Sequence, residues 1–121
     1  MNTNKHVVYD SRNYFSRFLK YEFRKNFKFD TFKNFNDFEN EIKNYSTIIF
    51  VIYSEEELVD FMKIYKAGFP LIVCTFNEKL LLKMKSVEEI LLLDTSKVKS
   101  EVIIELKSYL NLVNYFSIEV N

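Results

Sequence analysis

The sequence predicts an α/β fold: a five-stranded parallel sheet with helices packed on both of its faces. Three observations point to it. The first is the run Thr47-Ile48-Ile49-Phe50-Val51-Ile52-Tyr53, uninterruptedly apolar or aromatic after its threonine and followed at once by Ser54-Glu55-Glu56-Glu57. A short apolar run with polar borders is the pattern of a strand buried on both faces, at the middle of a parallel sheet. The second is the alternation of such runs with stretches of helical periodicity, five times along the chain, which reads as βα units joined by right-handed crossovers. The third is length. A chain of 121 residues makes one domain with a real core, spanning 1–121, its core at about 5–113 and a C-terminal tail at 114–121.

Lys5-His6-Val7-Val8-Tyr9-Asp10 is a short apolar strand with an acid at its end. From Ser11 to Asn26, Phe15, Phe18, Leu19 and Phe23 recur at i, i+3, i+4 and i+8, one face of a helix. Arg12, Arg17, Lys20, Arg24 and Lys25 occupy its other face, which reads first as a solvated surface and second as a surface for an anionic partner. Lys28-Phe29-Asp30-Thr31-Phe32-Lys33 alternates polar and aromatic residues, as an edge strand does. Asn36, with Glu39 three residues on, has the spacing of a capping box. The helix it opens turns Phe35, Phe38, Ile42 and Tyr45 inward.

After the central strand, Ser54 and Glu57 repeat the capping-box spacing, and a helix beginning at Ser54 accounts for the three glutamates through its positive end, without a metal. Leu58, Phe61, Met62 and Tyr65 form the expected buried face; Gly68 closes the helix and Pro70 stops it. Pro70 to Phe76 is the fourth strand, and Asn77 caps a short helix to about Lys85. Glu89 to Asp94 is the fifth strand, although its three leucines would suit a helix equally well. A last helix starts at Ser96 or Ser100, with Val102, Ile103, Leu106, Tyr109, Leu110 and Val113 inward. Phe116 to Asn121 carries no clear assignment.

Composition narrows the function. Apolar residues make up 48% and aromatics 17%, with one Gly and one Pro, so disorder and low complexity do not fit. The 17 basic residues balance the 17 acidic ones. Residues 1–45 hold nine basic and six acidic residues, net +3, and residues 46–121 hold eight and eleven, net −3. With no basic tail or glycine-aromatic repeat, nucleic acid is not an expected partner. The lone cysteine, Cys74, forms no internal disulfide or cysteine zinc cluster and reads as an inert core thiol. No signal-like segment stands at the start, and no apolar run approaches the ~18 residues of a membrane span. A cytoplasmic protein with no membrane partner is the expectation.

Two segments carry a family resemblance. Val7-Val8-Tyr9-Asp10-Ser11 resembles the first strand of a response-regulator receiver domain, which ends in an acidic pair that binds magnesium. Pro70-Leu71-Ile72-Val73-Cys74-Thr75 resembles the fourth, opened by a Pro and closed by a Ser or Thr. The similarity runs over about residues 5 to 113 and implies the strand order 2-1-3-4-5 of flavodoxin-like and receiver folds. It also implies a chemistry that this chain lacks. Phosphoryl transfer in receivers needs a carboxylate at the end of the third strand, an acidic pair for the cation and a lysine after the fifth strand. Here the third strand ends at Tyr53-Ser54, Ser11 stands beside Asp10 in place of a second acid, and Asp94-Thr95 replaces the expected Lys-Pro, with Lys97 beyond it. Thr75 alone matches the switch hydroxyl. The resemblance therefore implies a degenerate pseudo-receiver whose rim, Asp10, Ser11, Tyr53, Thr75, Asp94 and Lys97, is vestigial: no catalytic residue, no cofactor and no metal, Asp10 being the remnant of the metal site.

The resulting expectation is a phosphorylation-independent signalling or adaptor module that is not an enzyme and binds a protein partner, or a second copy of itself. Receivers associate through the fourth helix, fifth strand and fifth helix, and Leu80, Leu81, Leu82, Met84, Ile104 and Leu112 give this region more apolar residues than two amphipathic helices need. Leu81, Met84, Ile104 and Leu112 are the expected interface. The alternative is a small-ligand binder or enzyme using Asp10, Tyr53, Thr75 and Asp94 at the carboxyl rim, where open α/β sheets bind ligands. His6, at the start of its strand, lies away from that rim.

Overall fold

A computed structural model describes residues 5–120, and of 114–120 the helical backbone alone. The strands β1 (His6–Tyr9), β2 (Phe29–Phe32), β3 (Thr47–Ile52), β4 (Leu71–Thr75) and β5 (Ile90–Asp94) form one sheet. Its order is β2-β1-β3-β4-β5 and every pairing is parallel, a flavodoxin-like topology. The helices are α1 (Phe15–Glu22), α2 (Phe35–Glu41) with a 3-10 turn at Ile42–Asn44, α3 (Glu57–Lys66), α4 (Glu78–Met84) and α5 (Lys99–Val120).

β3 is buried along its whole length, and its alternation supplies two cores. Ile48, Phe50 and Ile52 face Phe38, Ile42, Phe61, Ile64, Leu80 and Met84 from α2, α3, α4 and the 3-10 turn. Ile49 and Val51 face Phe15, Leu19, Val102, Leu106 and Leu110 from α1 and α5. Each fully buried side chain of this size contributes about 1.5–3 kcal/mol, so the strand that is apolar without a break is the one on which both layers depend.

Helix boundaries follow local chemistry and correct several expectations. α1 starts at Phe15 because Asn13 takes a left-handed turn (φ 54°) that closes the loop after β1; asparagine tolerates that region well. The cap of α2 is Asn34, whose side chain accepts from the Asp37 backbone N–H at 3.1 Å; Asn36 lies inside the helix. α3 begins at Glu57, after a turn through Ser54–Glu56. Ile64 faces the core where Met62 was expected, and Met62 is exposed. Gly68 ends α3 at φ 84°, with open space around a would-be β-carbon, so backbone conformation and not crowding requires glycine. Asn77 caps α4 as expected, accepting from the N–H groups of Lys79 and Leu80. α5 starts at Lys99 and continues to Val120, so most of the expected tail is helical.

The interface expectation divides. Leu80, Leu81 and Met84 are buried, occupying one face of α4 at spacings of one and four residues. Leu81 and Met84 are therefore core side chains and not surface ones. Ile104 (66% exposed), Leu112 (42%) and Leu82 (66%) do point outward. Among the described residues, no helix is long and apolar enough to cross a membrane.

Candidate functional site

The carboxyl ends of β1, β3, β4 and β5 converge on the rim where the sequence places its candidates. Asp10, directly after β1, is almost wholly buried. Its Oδ1 accepts from the Tyr53 hydroxyl at 2.7 Å and the Arg12 N–H at 3.1 Å, and its Oδ2 accepts from the Ser16 N–H at 2.8 Å. Ser16 lies in the first turn of α1, so the carboxylate acts as a remote cap where the helix presents free N–H groups. Burial of a charged group is tolerable only with such partners.

Tyr53 follows β3 and completes the closure. Its hydroxyl donates to Asp10 and accepts from the Phe15 N–H at 3.2 Å. Burial first, then the hydrogen bond to Asp10, pushes its phenol above the ordinary value of 10.0. The Arg12 guanidinium carbon lies 4.8 Å from the centre of the Tyr53 ring, and the ring of Phe76 stacks on it at 5.7 Å and 10°.

Ser11 donates its hydroxyl to Glu57 Oε2 at 2.5 Å, while Glu57 Oε1 accepts from the N–H groups of Tyr53 and Ser54 at 2.6 and 3.1 Å. Glu57 thus performs the reach-back half of a capping box and also ties β1 to α3. Thr75 is buried; its Oγ1 accepts from the Asn77 N–H at 3.2 Å and its carbonyl accepts from the Thr95 hydroxyl. Asp94 Oδ1 accepts from the Ser96 hydroxyl at 2.5 Å and the Ser96 N–H at 3.0 Å, and these bonds hold its carboxyl below the usual range. Lys97 points to Glu105 Oε2 at 3.0 Å, and that carboxylate raises its pKa.

The structure therefore joins Asp10 to Tyr53 directly, links Ser11 to Tyr53 through Glu57, ties Thr75 to Thr95, and brings Asp94 and Lys97 together on Glu105. Among the described residues, no three His, Cys, Asp or Glu side chains converge as metal ligands. Cys74 is fully buried, and burial drives its thiol pKa upward. The reach of Glu57 to Ser11, the pairing of Glu105 with Lys97 and the ring of Phe76 against Tyr53 belong to the same rim and were not legible as a group. Their partners lie 46, 8 and 23 positions apart in the chain, respectively (Ser11 to Glu57, Lys97 to Glu105, Tyr53 to Phe76), and only the Glu57 cap left a sequence signal. No protein family, curated protein or solved structure matches this chain.

Proposed function

We propose that this protein is a phosphorylation-independent adaptor of the pseudo-receiver kind, working through protein–protein contacts on the side formed by α4, β5 and α5. The observation that carries the reading is Ile104, a large apolar side chain 66% exposed in the second turn of a helix whose opposite face already buries Val102, Leu106 and Leu110. Leu112 on α5 and Leu82 on α4 add exposed apolar surface, and the edge strand between these helices keeps Ile90, Leu91 and Leu92 only half-buried. An edge strand flanked by apolar side chains is a surface that another chain can cover.

The rim supports the same reading from the opposite direction. Asp10 spends its oxygens on Tyr53, Arg12 and Ser16, and the end of β3 offers a phenol held in its neutral form where a phosphoryl acceptor would need a carboxylate. The partner is a second copy of this chain or a different protein. Sedimentation velocity over a concentration series, with affinity capture from the native cell, tests it by comparing wild type with Ile104→Glu. Self-association, or capture of one defined protein, that is lost in the variant at unchanged melting temperature is the expected result. A monomeric wild type that captures nothing dependent on Ile104 removes the reading.

A further inference from the structure

The same rim carries a second feature that neither the adaptor reading nor the receiver resemblance uses. Between α1 and the start of α5 lies an open cleft of about 370 Å³ lined by Tyr14, Phe15, Phe18, Phe76, Lys97 and Lys99, among others. That volume lies within the range of small-molecule sites, and its position outside the carboxyl ends of the strands is where open α/β sheets bind ligands.

Its walls are aromatic and firmly held. Phe76, 44% exposed, stacks on Tyr53 and meets Phe15 and Tyr14 edge to face at 5.5 and 6.0 Å. Phe15 in turn stacks on Phe18 at 5.4 Å. Tyr53, behind Phe76, is fixed by Asp10 at 2.7 Å. The exposed ring is thus positioned by a chain of contacts that ends in a buried carboxylate. Phe76 and Tyr14 (68% exposed) present aromatic surface to solvent at a cost that core packing does not require.

Among the described residues that line the cleft, the charged ones are Lys97 and Lys99. Lys97 is paired with Glu105 at 3.0 Å and Lys99 with Glu22 at 2.8 Å, and in each pair the lysine is the more exposed partner. The acids anchor the lysines from below. An ammonium has three donors, so each lysine keeps N–H groups for an anion. Fixed aromatic rings take up a flat ring by stacking, and two ammonium ions take up an attached phosphate or carboxylate.

We infer that this cleft is a binding site for a small planar aromatic anion of the nucleoside-monophosphate class, its ring against Phe76 and Tyr14 and its anionic group at Lys97 and Lys99. The site is separate from the association surface around Ile104, and its failure would leave the adaptor reading untouched.

The test is a titration of the full chain with AMP, adenosine, inorganic phosphate and a short phenylalanine-containing peptide, followed by backbone amide NMR. AMP is expected to move the signals of Phe76, Thr95, Lys97 and Lys99 saturably, and to bind at least tenfold more tightly than adenosine or phosphate alone. Tyr14→Ala and Lys99→Gln, both at exposed positions, should each weaken AMP by threefold or more with an unchanged melting temperature; Phe76→Ala should weaken it by tenfold. No saturable shift with millimolar AMP overturns the inference. So does equal binding of phosphate and AMP, which is charge attraction without a ring site, and so does binding of the peptide but not of AMP, which makes the cleft a protein-docking pocket.

Discussion

Tyr53 donates its hydroxyl to Asp10 at 2.7 Å, a bond that spans 43 positions of sequence and ties the end of β3 to the end of β1. The same hydroxyl accepts from Phe15, so one phenol locks two strand ends and the start of α1. Tyr53→Phe keeps the ring and its stack on Phe76 but leaves Asp10 short of one donor. A hydrogen bond to a charged group contributes about 1.5–3 kcal/mol, and a loss of about 2 kcal/mol with a fall of several degrees in Tm is expected on thermal and urea unfolding. Asp10→Asn should cost more, because whichever way the amide is turned its NH₂ faces a backbone N–H, that of Ser16 or that of Arg12, donor against donor. A Tyr53→Phe variant as stable as wild type would show that this bond is made equally well by water.

The direction of the Tyr53 shift fixes a pH dependence. The folded state holds the phenol proton more tightly than the unfolded chain, whose value is 10.0. Its contribution is fully present below pH 10 and is lost as pH rises beyond it. Wild-type Tm should therefore fall more steeply above about pH 10 than that of Tyr53→Phe. Parallel curves for the two proteins would count against the buried phenol.

No phosphoryl transfer to this chain is expected from acetyl phosphate and magnesium. The Asp10 oxygens are engaged by Tyr53, Arg12 and Ser16, and Asp94 is held by Ser96. Intact-mass spectrometry after incubation reads the outcome. One added phosphoryl group mapped to Asp10 or Asp94 would mean that the rim opens in solution and that a degenerate receiver is the wrong description.

How far the sequence reached depends on the range of the interaction concerned. The five strands and their burial were legible because β3 is apolar without interruption and because stretches whose apolar residues recur about every 3.6 residues lie between the strands. Ile49 and Val51 are indeed fully buried. Single-turn choices were less legible: Asn36 has the capping-box spacing to Glu39, yet Asn34, two residues earlier, is the cap, and Met62 and Ile64 differ by less than one turn of α3. The rim residues were legible one by one. That Asp10 and Tyr53 meet, while Lys97 turns to Glu105, depends on rotamers and loop paths that no local pattern encodes.

His6 predicts an acid sensitivity. It is 3% exposed, its ring lies against Phe27 and Phe29 at 5.2 and 5.7 Å, and its Nδ1 has no hydrogen-bond partner among the described residues. Burial lowers its pKa from 6.5. Above pH 6.5 both folded and unfolded chains hold it neutral; below that the unfolded chain gains a proton that the folded one resists, so stability falls as pH drops. Between about pH 7 and pH 5 the Tm of wild type should fall further than that of His6→Leu. Equal slopes would assign the acid sensitivity to carboxylates.

Thr47 sits beside His6 in the sheet register, and its buried hydroxyl also has no partner among the described residues. A buried polar atom without a hydrogen bond is a cost. Thr47→Val keeps the branched shape and should leave stability unchanged or raise it by up to about 1 kcal/mol on chemical denaturation. A loss of more than that would point to an ordered water bridging Thr47 and His6.

The two faces of α4 and α5 should respond oppositely to charge. Met84 is buried against Leu80 and Phe61 in one core, whereas Ile104 and Leu112 stand outward on a helix that buries Val102, Leu106 and Leu110. Met84→Glu places an unpaired carboxylate in an apolar interior, which costs several kcal/mol and should unfold the chain or force the acid to remain protonated. Ile104→Glu and Leu112→Glu put the same group into water and should change stability by no more than about 0.5 kcal/mol. Their effect should appear in association, where truncating a side chain at the centre of an interface can cost about 2 kcal/mol, roughly thirtyfold in affinity. Thermal melting of the three variants separates these cases. If Ile104→Glu melts as low as Met84→Glu, Ile104 is a core residue in solution, and the outer side of α5 is no longer available as the contact surface of this protein.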